Sequence, residues 1–354
     1  MHAAASRARS AVRVASLVAP GRIELREEPD PIPEPGGIVL RVRVALTDGT
    51  DLKAFRRGHP QMPMPTRFGH EFSGEVVALG AGTRGWNVGE PVMAVHSAPD
   101  FTCFWCRRAQ EELCETVMSS KILGAYGELL ALPARILACN AYRKPDGLSF
   151  EAAAFLEPLA CVVHAQEAAQ FRSGDELAIV GDGGFGLLHA LLARAGGARP
   201  ILVGRHPERL ALAQSLGVER TVLAAHPGCD ANAACSEAIR EATGGRGADM
   251  AIECTGRAEV WAAIPAAVRR GGTAVLFGGL PAGTAVPFEA ARLHYDEVRI
   301  LSPFHFTPSA VRRAYELLAA NVLPVESLIG ARVPLAQIWE AFDAMARGVA
   351  LKVA

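Results

Sequence analysis

The sequence predicts a two-domain α/β protein in which a β-rich region is followed by a doubly wound parallel sheet. Residues 12–163 carry short alternating or β-branched runs punctuated by Gly and Pro, the pattern of half-buried antiparallel strands. Residues 176–277 alternate strand-like and helix-like segments, the rhythm of βαβ units around a parallel sheet. A chain of 354 residues also exceeds what a single hydrophobic core usually serves.

The elements follow in order. Residues 38–44 (IVLRVRV) alternate with period two, and 74–79 (GEVVAL) form a second strand-like run. The rhythm then changes: 176–180 reads as a buried strand, 187–195 as a helix and 200–203 as a strand. Residues 207–216 read as a helix opened by Pro at its first turn. Strands are expected at 250–253 and 274–277, with a helix over 258–268 between them. Beyond residue 303 the pattern becomes helix (308–320), short strand (331–333), helix (335–346) and an apolar stub at 350–353. That tail is too small for a domain of its own, so it is expected to return to the β-rich region. The expected division is 11–165 completed by 304–354, with 166–303 as the inserted nucleotide-binding domain.

Composition narrows the function classes. A net charge of -1 and a pI near 6.8 argue against nucleic-acid or anionic-membrane partners. The apolar run 155–163 is broken by Glu157 and Pro158 and is too short to span a bilayer. Residues 1–10 carry two arginines and no acid; a frayed tail or start-site extension is preferred there over a transit peptide. Of eight cysteines, three fall within residues 103–114, which reads as metal ligation in a reducing compartment rather than a disulfide framework. Cys139, Cys161, Cys229, Cys235 and Cys254 lack ligand spacing and read as small core or surface residues. The cytoplasm is the expected location.

Gly181-Asp182-Gly183-Gly184-Phe185-Gly186 fits G-x-G-x-x-G directly after an expected strand and at the opening of an expected helix. Gly181 permits the tight turn, Gly183 removes a Cβ from the path of a pyrophosphate, and Gly186 lets helix and sheet pack closely. The bland alternative is an ordinary βα turn. The next strand ends at Val203-Gly204-Arg205, where a site selective for NAD generally carries an acid that accepts from the ribose. Gly204 offers neither that acceptor nor its repulsion of a 2′-phosphate, which Arg205 can grip with help from Arg209. NADP is therefore expected over NAD, the alternative being that Arg205 is a solvated turn residue.

Several motifs together resemble the medium-chain dehydrogenase/reductase superfamily, particularly its zinc alcohol, polyol and sugar dehydrogenases. They are Gly69-His70-Glu71-Phe72-Ser73-Gly74, Asn87-Val88-Gly89-Glu90, Glu157-Pro158-Leu159-Ala160, the Gly181 turn, Glu253-Cys254-Thr255-Gly256 and Arg270-Gly271-Gly272. The resemblance runs essentially end to end. It implies a GroES-like β-rich catalytic domain with a Rossmann nucleotide-binding domain inserted near its C-terminus, and a homo-oligomer, dimer or tetramer. It also implies a catalytic zinc at Asp48, His70, Glu71 and Glu157, where Asp48 stands in the position of the family's cysteine. A carboxylate binds zinc well, at about 2.0–2.2 Å, although a harder, more anionic site admits other divalent ions.

By the same resemblance Thr50 is the proton-relay hydroxyl, and Asp51 supports the metal-binding histidine from behind. Asp100, Cys103, Cys106 and Cys114 match the structural zinc lobe, again with Asp in place of the first Cys. The implied activity is hydride transfer between NADP(H) and a secondary alcohol or carbonyl, with a polyol or sugar as the first substrate expected. Two alternatives stay open: a metal-independent NADPH reductase or biosynthetic enzyme on the same fold, and a non-catalytic nucleotide-binding protein. His96, His189, His294 and His305 lie outside any motif, and His59 and Trp105 could approach a substrate cleft although the sequence does not place them there.

Overall fold

The structure, a computed structural model, describes residues 11–224 and 231–354. The first ten residues and Cys229, both considered above, lie outside the described residues. Two compact units are present, one running to Glu157 and resuming at Ile329–Ala354, the other Pro158–Leu328.

The first unit is built on antiparallel strands. β1 (Ala11–Ala19) and β2 (Arg22–Pro29) form a hairpin. β3 (Ile38–Leu46) leads into helix α1 (Gly49–Arg57), followed by β4 (Thr66–Arg67), β5 (Glu71–Leu79) and β6 (Pro91–Ala94). β7 (Leu129–Leu132), α2 (Ala134–Cys139), β8 (Ala141–Arg143) and α3 (Phe150–Ala153) complete the run to the start of α4 (Leu156–Ala169). β3 sits inside a five-stranded sheet of order β7-β3-β5-β6-β8, and β1 lies between β2 and β4 in a smaller one. Arg41 and Arg43 face outward while Ile38 and Leu40 are buried, as the alternating pattern of this strand requires.

The region read as mostly β also holds α1, α2, α3 and the start of α4, of which α1 and α3 carry side-chain caps. Asp48 accepts from Asp51 N at the start of α1, and Ser149 accepts from Ala152 N at the start of α3. Such side-chain caps satisfy backbone donors that a hydrophobic-period reading does not see. In α4 the Glu157-Pro158 pair occupies the first turn, where Pro costs no backbone hydrogen bond.

The second unit opens on β9 (Glu176–Val180), a fully buried run of the kind parallel sheets use. Then come α5 (Gly184–Ala195), β10 (Arg199–Gly204), α6 (Pro207–Ser215), β11 (Arg220–Leu223) and α7 (Ala231–Ala242). β12 (Ala248–Glu253), α8 (Ala258–Ala267), β13 (Val268–Leu276), α9 (Ala290–Tyr295), β14 (Arg299–Leu301) and α10 (Pro308–Ala319) follow. The six strands are parallel in the order β11-β10-β9-β12-β13-β14. The order reverses between β9 and β12, and the carboxyl ends there are where ligands of such sheets bind.

The tail divides at Ile329, so α10 belongs to the parallel-sheet unit. β15 (Ile329–Ala331), α11 (Ile338–Ala346) and β16 (Lys352–Val353) complete the first unit. β16 pairs in parallel with β15. It is tied to the end of β3 by Thr47 N to Val353 O at 3.0 Å and Val353 N to Thr47 Oγ1 at 2.9 Å. Among the described residues no helix is long and apolar enough to cross a membrane.

Candidate active site

His70 immediately precedes β5, and Asp48 and Asp51 flank the first turn of α1. Chain separation of about 20 residues is thereby reduced to contact. His70 Nε2 lies 3.9 Å from Asp48 Oδ2, while Nδ1 lies 3.2 Å from Asp51 Oδ1. Asp51 is held in turn by the Tyr126 hydroxyl, which donates to Oδ2. One ring nitrogen thus faces an orienting carboxylate and the other faces the cluster, the arrangement that sets the tautomer of a metal-ligating imidazole. His70 forms one close-donor group with Asp48 and Asp51 and another with Glu71 and Glu157, each group having its donor atoms within 4.8 Å.

Glu71 has a partner that the sequence motifs did not reveal. Lys352 Nζ, on β16, donates to the two Glu71 oxygens at 2.6 and 2.5 Å and to Thr47 O at 3.2 Å, and the residue is 2% exposed. A lysine so fully buried demands a paired charge. Burial, reinforced by Asp48 and Glu157, nevertheless pushes the Glu71 carboxyl up against the pull of Lys352. Burial opposes the charged form of His70, yet Asp51 and Asp48 hold its pKa well above the usual histidine value. His70 and Lys352 keep the Asp48 carboxyl low despite burial.

Asp48, Asp51, Glu71 and Glu157 are all buried beside His70, with Lys352 as the cation that meets Glu71. That donor set carries an excess of negative charge which a divalent cation would balance, and its oxygen and imidazole donors suit zinc. Thr50 is half-buried and its hydroxyl donates to Asp48, so it joins the buried carboxylate to the more open side of the cluster. His59 is also half-buried; burial, then nearby Lys121, depress its pKa, and the charges of Asp48 and His70 reach it. Gln61, Pro63, Met118, Ser119, Lys121 and Leu123 line a cavity of about 410 Å³.

His96 is the largest omission of the motif reading. It is 5% exposed, its Nδ1 lies 3.6 Å from Glu157 Oε1, and its ring meets His70 edge-on with centroids 5.2 Å apart. No motif marks it; the available signal was its place just after the strand that pairs with the one His70 begins.

The lobe gathers Asp100, Cys103, Cys106 and Cys114, again with donor atoms within 4.8 Å. Asp100 Oδ1 accepts from Thr102 N at 2.7 Å and Cys103 N at 2.8 Å, and Oδ2 accepts from Thr116 Oγ1 at 3.2 Å. Those backbone donors hold the Asp100 carboxyl far below the usual range. Burial pushes the Cys106 thiol up to about 12. Arg135, on α2, reaches into the lobe through Pro99 O, Ser120 Oγ, Thr116 Oγ1 and, at 3.8 Å, Cys114 Sγ. Three soft sulfurs and a carboxylate form a donor set that fits a tetrahedral zinc. Trp105 packs on Phe104 within this same lobe, ring centroids 5.1 Å apart.

In the second unit, Gly181 at φ 122° ends β9, and a Cβ there would stand 3.2 Å from Cys254 and Thr255 at the end of β12. A Cβ on Gly186 would lie 1.7 Å from Gly181 O, so helix and loop approach as closely as glycine allows. Gly183 caps α5 with open space around its Cα, and Gly184 and Phe185 begin the helix. Free N–H groups at that terminus suit a phosphate.

Asp182 turns away from that terminus toward the end of β10. Its Oδ2 accepts from Arg205 N and His206 N, each at 2.8 Å, and lies 3.0 Å from His206 Nδ1. Arg209 comes within 3.9 Å. A Cβ on Gly204 would fall 2.5 Å from Asp182, so Asp182 fills the space a strand-end acid would need. Arg205 is exposed beside it.

Comparison with known proteins agrees with this geometry. Residues 34–141 match the alcohol dehydrogenase GroES-like domain, and residues 184–320 match the zinc-binding dehydrogenase family. Sorbitol dehydrogenase from Ovis aries is 31% identical over 356 residues, covering 98% of this chain and 97% of its own. Alcohol dehydrogenase from Thermus sp. ATN1 superposes with a TM-score of 0.84 at 28% identity, covering 96% of this chain and 98% of its own. A Sinorhizobium meliloti 1021 protein described as a zinc-binding dehydrogenase and solved with NADP gives 0.87 at 28% identity, with 98% and 99% covered. Likeness of this extent across both units makes the chain a member of the zinc-type medium-chain alcohol and polyol dehydrogenases, and an alcohol-acting dehydrogenase.

Proposed function

We propose that this chain catalyses NADP-dependent oxidation of a polyhydroxylated secondary alcohol, or reduction of the matching carbonyl, with zinc in the buried cluster. The observation that carries the reading is His70 held between Asp51 and Asp48 and shared with a second donor group that contains Glu71 and Glu157. Asp48, His70 and Glu157 would hold the ion, with Glu71 beside it balanced by Lys352. When bound, zinc would supply Lewis acidity toward a substrate hydroxyl and NADP would supply the hydride acceptor.

The remaining tasks fall to the chain's own side chains. Asp51 orients His70, and Tyr126 orients Asp51. Thr50 accepts the substrate proton and passes it outward, a role supported by its half-exposed position and its hydrogen bond to Asp48. Gln61, Ser119 and Lys121, which line the cavity of about 410 Å³, offer donors to a substrate with several hydroxyls. Arg205 and Arg209 favour the 2′-phosphate of NADP, with Asp182 holding their turn in place. Asp100, Cys103, Cys106 and Cys114 hold a second, structural zinc.

The test is elemental analysis of chelator-free protein alongside turnover of a polyol and secondary-alcohol panel with NADP and with NAD. About two zinc ions per chain and NADP-linked polyol turnover support the reading. Folded, active protein without metal would overturn it in favour of a metal-independent reductase.

A further inference from the structure

We infer that His96 is itself a ligand of the buried metal site, making it a centre of two imidazoles and at least two carboxylates. The inference rests on the metal reading above and extends its ligand set. β5 and β6 run antiparallel with Phe72 opposite Ala94. Continuing that register two residues past this pair brings His70 opposite His96, and the two rings do meet, 5.2 Å between centroids at 79°. The backbone at this point is fixed from both sides: Ile122 N donates to His96 O at 2.8 Å, and Asn140 Nδ2 donates to Ser97 O at 2.8 Å. His96 is therefore held at the cluster by backbone contacts on both sides.

Its distance to Glu157 fits shared ligation. Donor atoms about 2.0–2.2 Å from one tetrahedral ion stand roughly 3.3–3.6 Å from each other. His96 Nδ1 and Glu157 Oε1 are 3.6 Å apart, the edge of such a polyhedron. The chemistry supplies a reason. With Asp48 in place of a thiolate, the cluster would otherwise offer one nitrogen and several hard oxygens, a set that discriminates weakly between zinc and other divalent ions. A second imidazole restores a borderline-soft donor where the sulfur was lost.

Cobalt(II) tests this directly, added to metal-free full-length protein and followed by visible absorption and paramagnetic proton NMR. Thiolate charge-transfer bands identify the cysteine lobe, so binding without such bands reports the buried site. The wild type is expected to show two strongly shifted, exchangeable imidazole N–H resonances from that site. His96→Ala should retain one, with cobalt affinity at the buried site lowered at least about 10–100-fold and far-UV circular dichroism unchanged. A wild-type spectrum with one such resonance overturns the inference without help from any variant. So does His96→Gln or His96→Ala with wild-type affinity and unchanged shifted signals. Wild type that takes cobalt only into the thiolate lobe overturns the metal reading along with it.

Discussion

Asp48 and Asp100 each turn one carboxylate oxygen onto the backbone three residues ahead. Asp48 Oδ1 accepts from Asp51 N at 2.7 Å, and Asp100 Oδ1 accepts from Cys103 N at 2.8 Å. The second oxygens differ: Asp48 Oδ2 faces His70 at 3.9 Å, whereas Asp100 Oδ2 accepts from Thr116 Oγ1 at 3.2 Å. The surroundings differ. Asp48 is sealed among carboxylates, imidazole and Lys352, on elements locked by sheet and helix. Asp100 lies in a loop whose regular structure is two short turns, braced by Arg135 from α2. The same residue exchange therefore has two meanings. Under the proposed reading, the core aspartate doubles as helix cap and metal ligand on a scaffold that other contacts preorganise, while the lobe would take its order from donors meeting a common ion.

The largest effect expected from breaking this comparison is at Lys352. Lys352→Met leaves Glu71 buried without its cation, which should cost about 3–5 kcal/mol in urea unfolding. Lys352→Arg should recover part of that loss. An equal loss for both variants would mean that packing, rather than charge, holds the C-terminal strand.

Next come the aspartates themselves. Asp48→Ala should lower turnover by more than the roughly 10–100-fold that loss of an outer partner costs, with NADP affinity unchanged by calorimetry. Cys103→Ser should instead remove one metal equivalent and lower the Tm, while the metal of the buried cluster stays. Parallel loss of both metals in either variant would merge the two sites into one cooperative unit and defeat the comparison.

A smaller effect is expected at the nucleotide loop. Arg205→Ala should weaken 2′,5′-ADP binding about tenfold while sparing ADP. Gly204→Asp should weaken both, because its Cβ would stand 2.5 Å from Asp182. If that single change simply converted preference to NAD, Asp182 would not be filling the strand end as described.

The smallest concerns His189, buried against Phe277 and Gln166, whose pKa burial lowers to about 3. The unfolded side chain titrates near 6.5, so between those values the unfolded chain binds the extra proton. Stability from this group is complete above about pH 6.5 and falls as pH drops toward 3, by up to about 1.4 kcal/mol per pH unit. His189→Leu should flatten that part of the profile in urea melts at pH 7.5 and 5.5. An unchanged slope would assign the acid sensitivity elsewhere.

Local pattern was enough for the β9–α5–β10 sequence, because a buried apolar run, a glycine turn and a helix start are each properties of consecutive residues. The cysteine lobe was legible for the same reason, since its four donors lie within 15 residues. Helix α1 was not: the sequence reading makes Asp48 a metal ligand, and only the structure shows the same aspartate capping this helix. Glu71's partner was hidden as well, because Lys352 is 281 residues away and comes from a stub that looked merely apolar. His96 carries no motif at all; only the β5–β6 register identifies it.

By itself, then, the sequence determined the two-part architecture, the glycine turn between β9 and α5 and the residue types of both donor clusters, since all depend on short-range periodicity and spacing. Tertiary structure alone decided which charges neutralise each other. It paired Lys352 with Glu71, set Asp51 behind His70, brought His96 to Glu157 and turned Asp182 onto the end of β10. The physical reason is that burial makes an unpaired charge costly, and the groups that can pair with it are chosen by the sheet's register and strand order, not by neighbours in the chain.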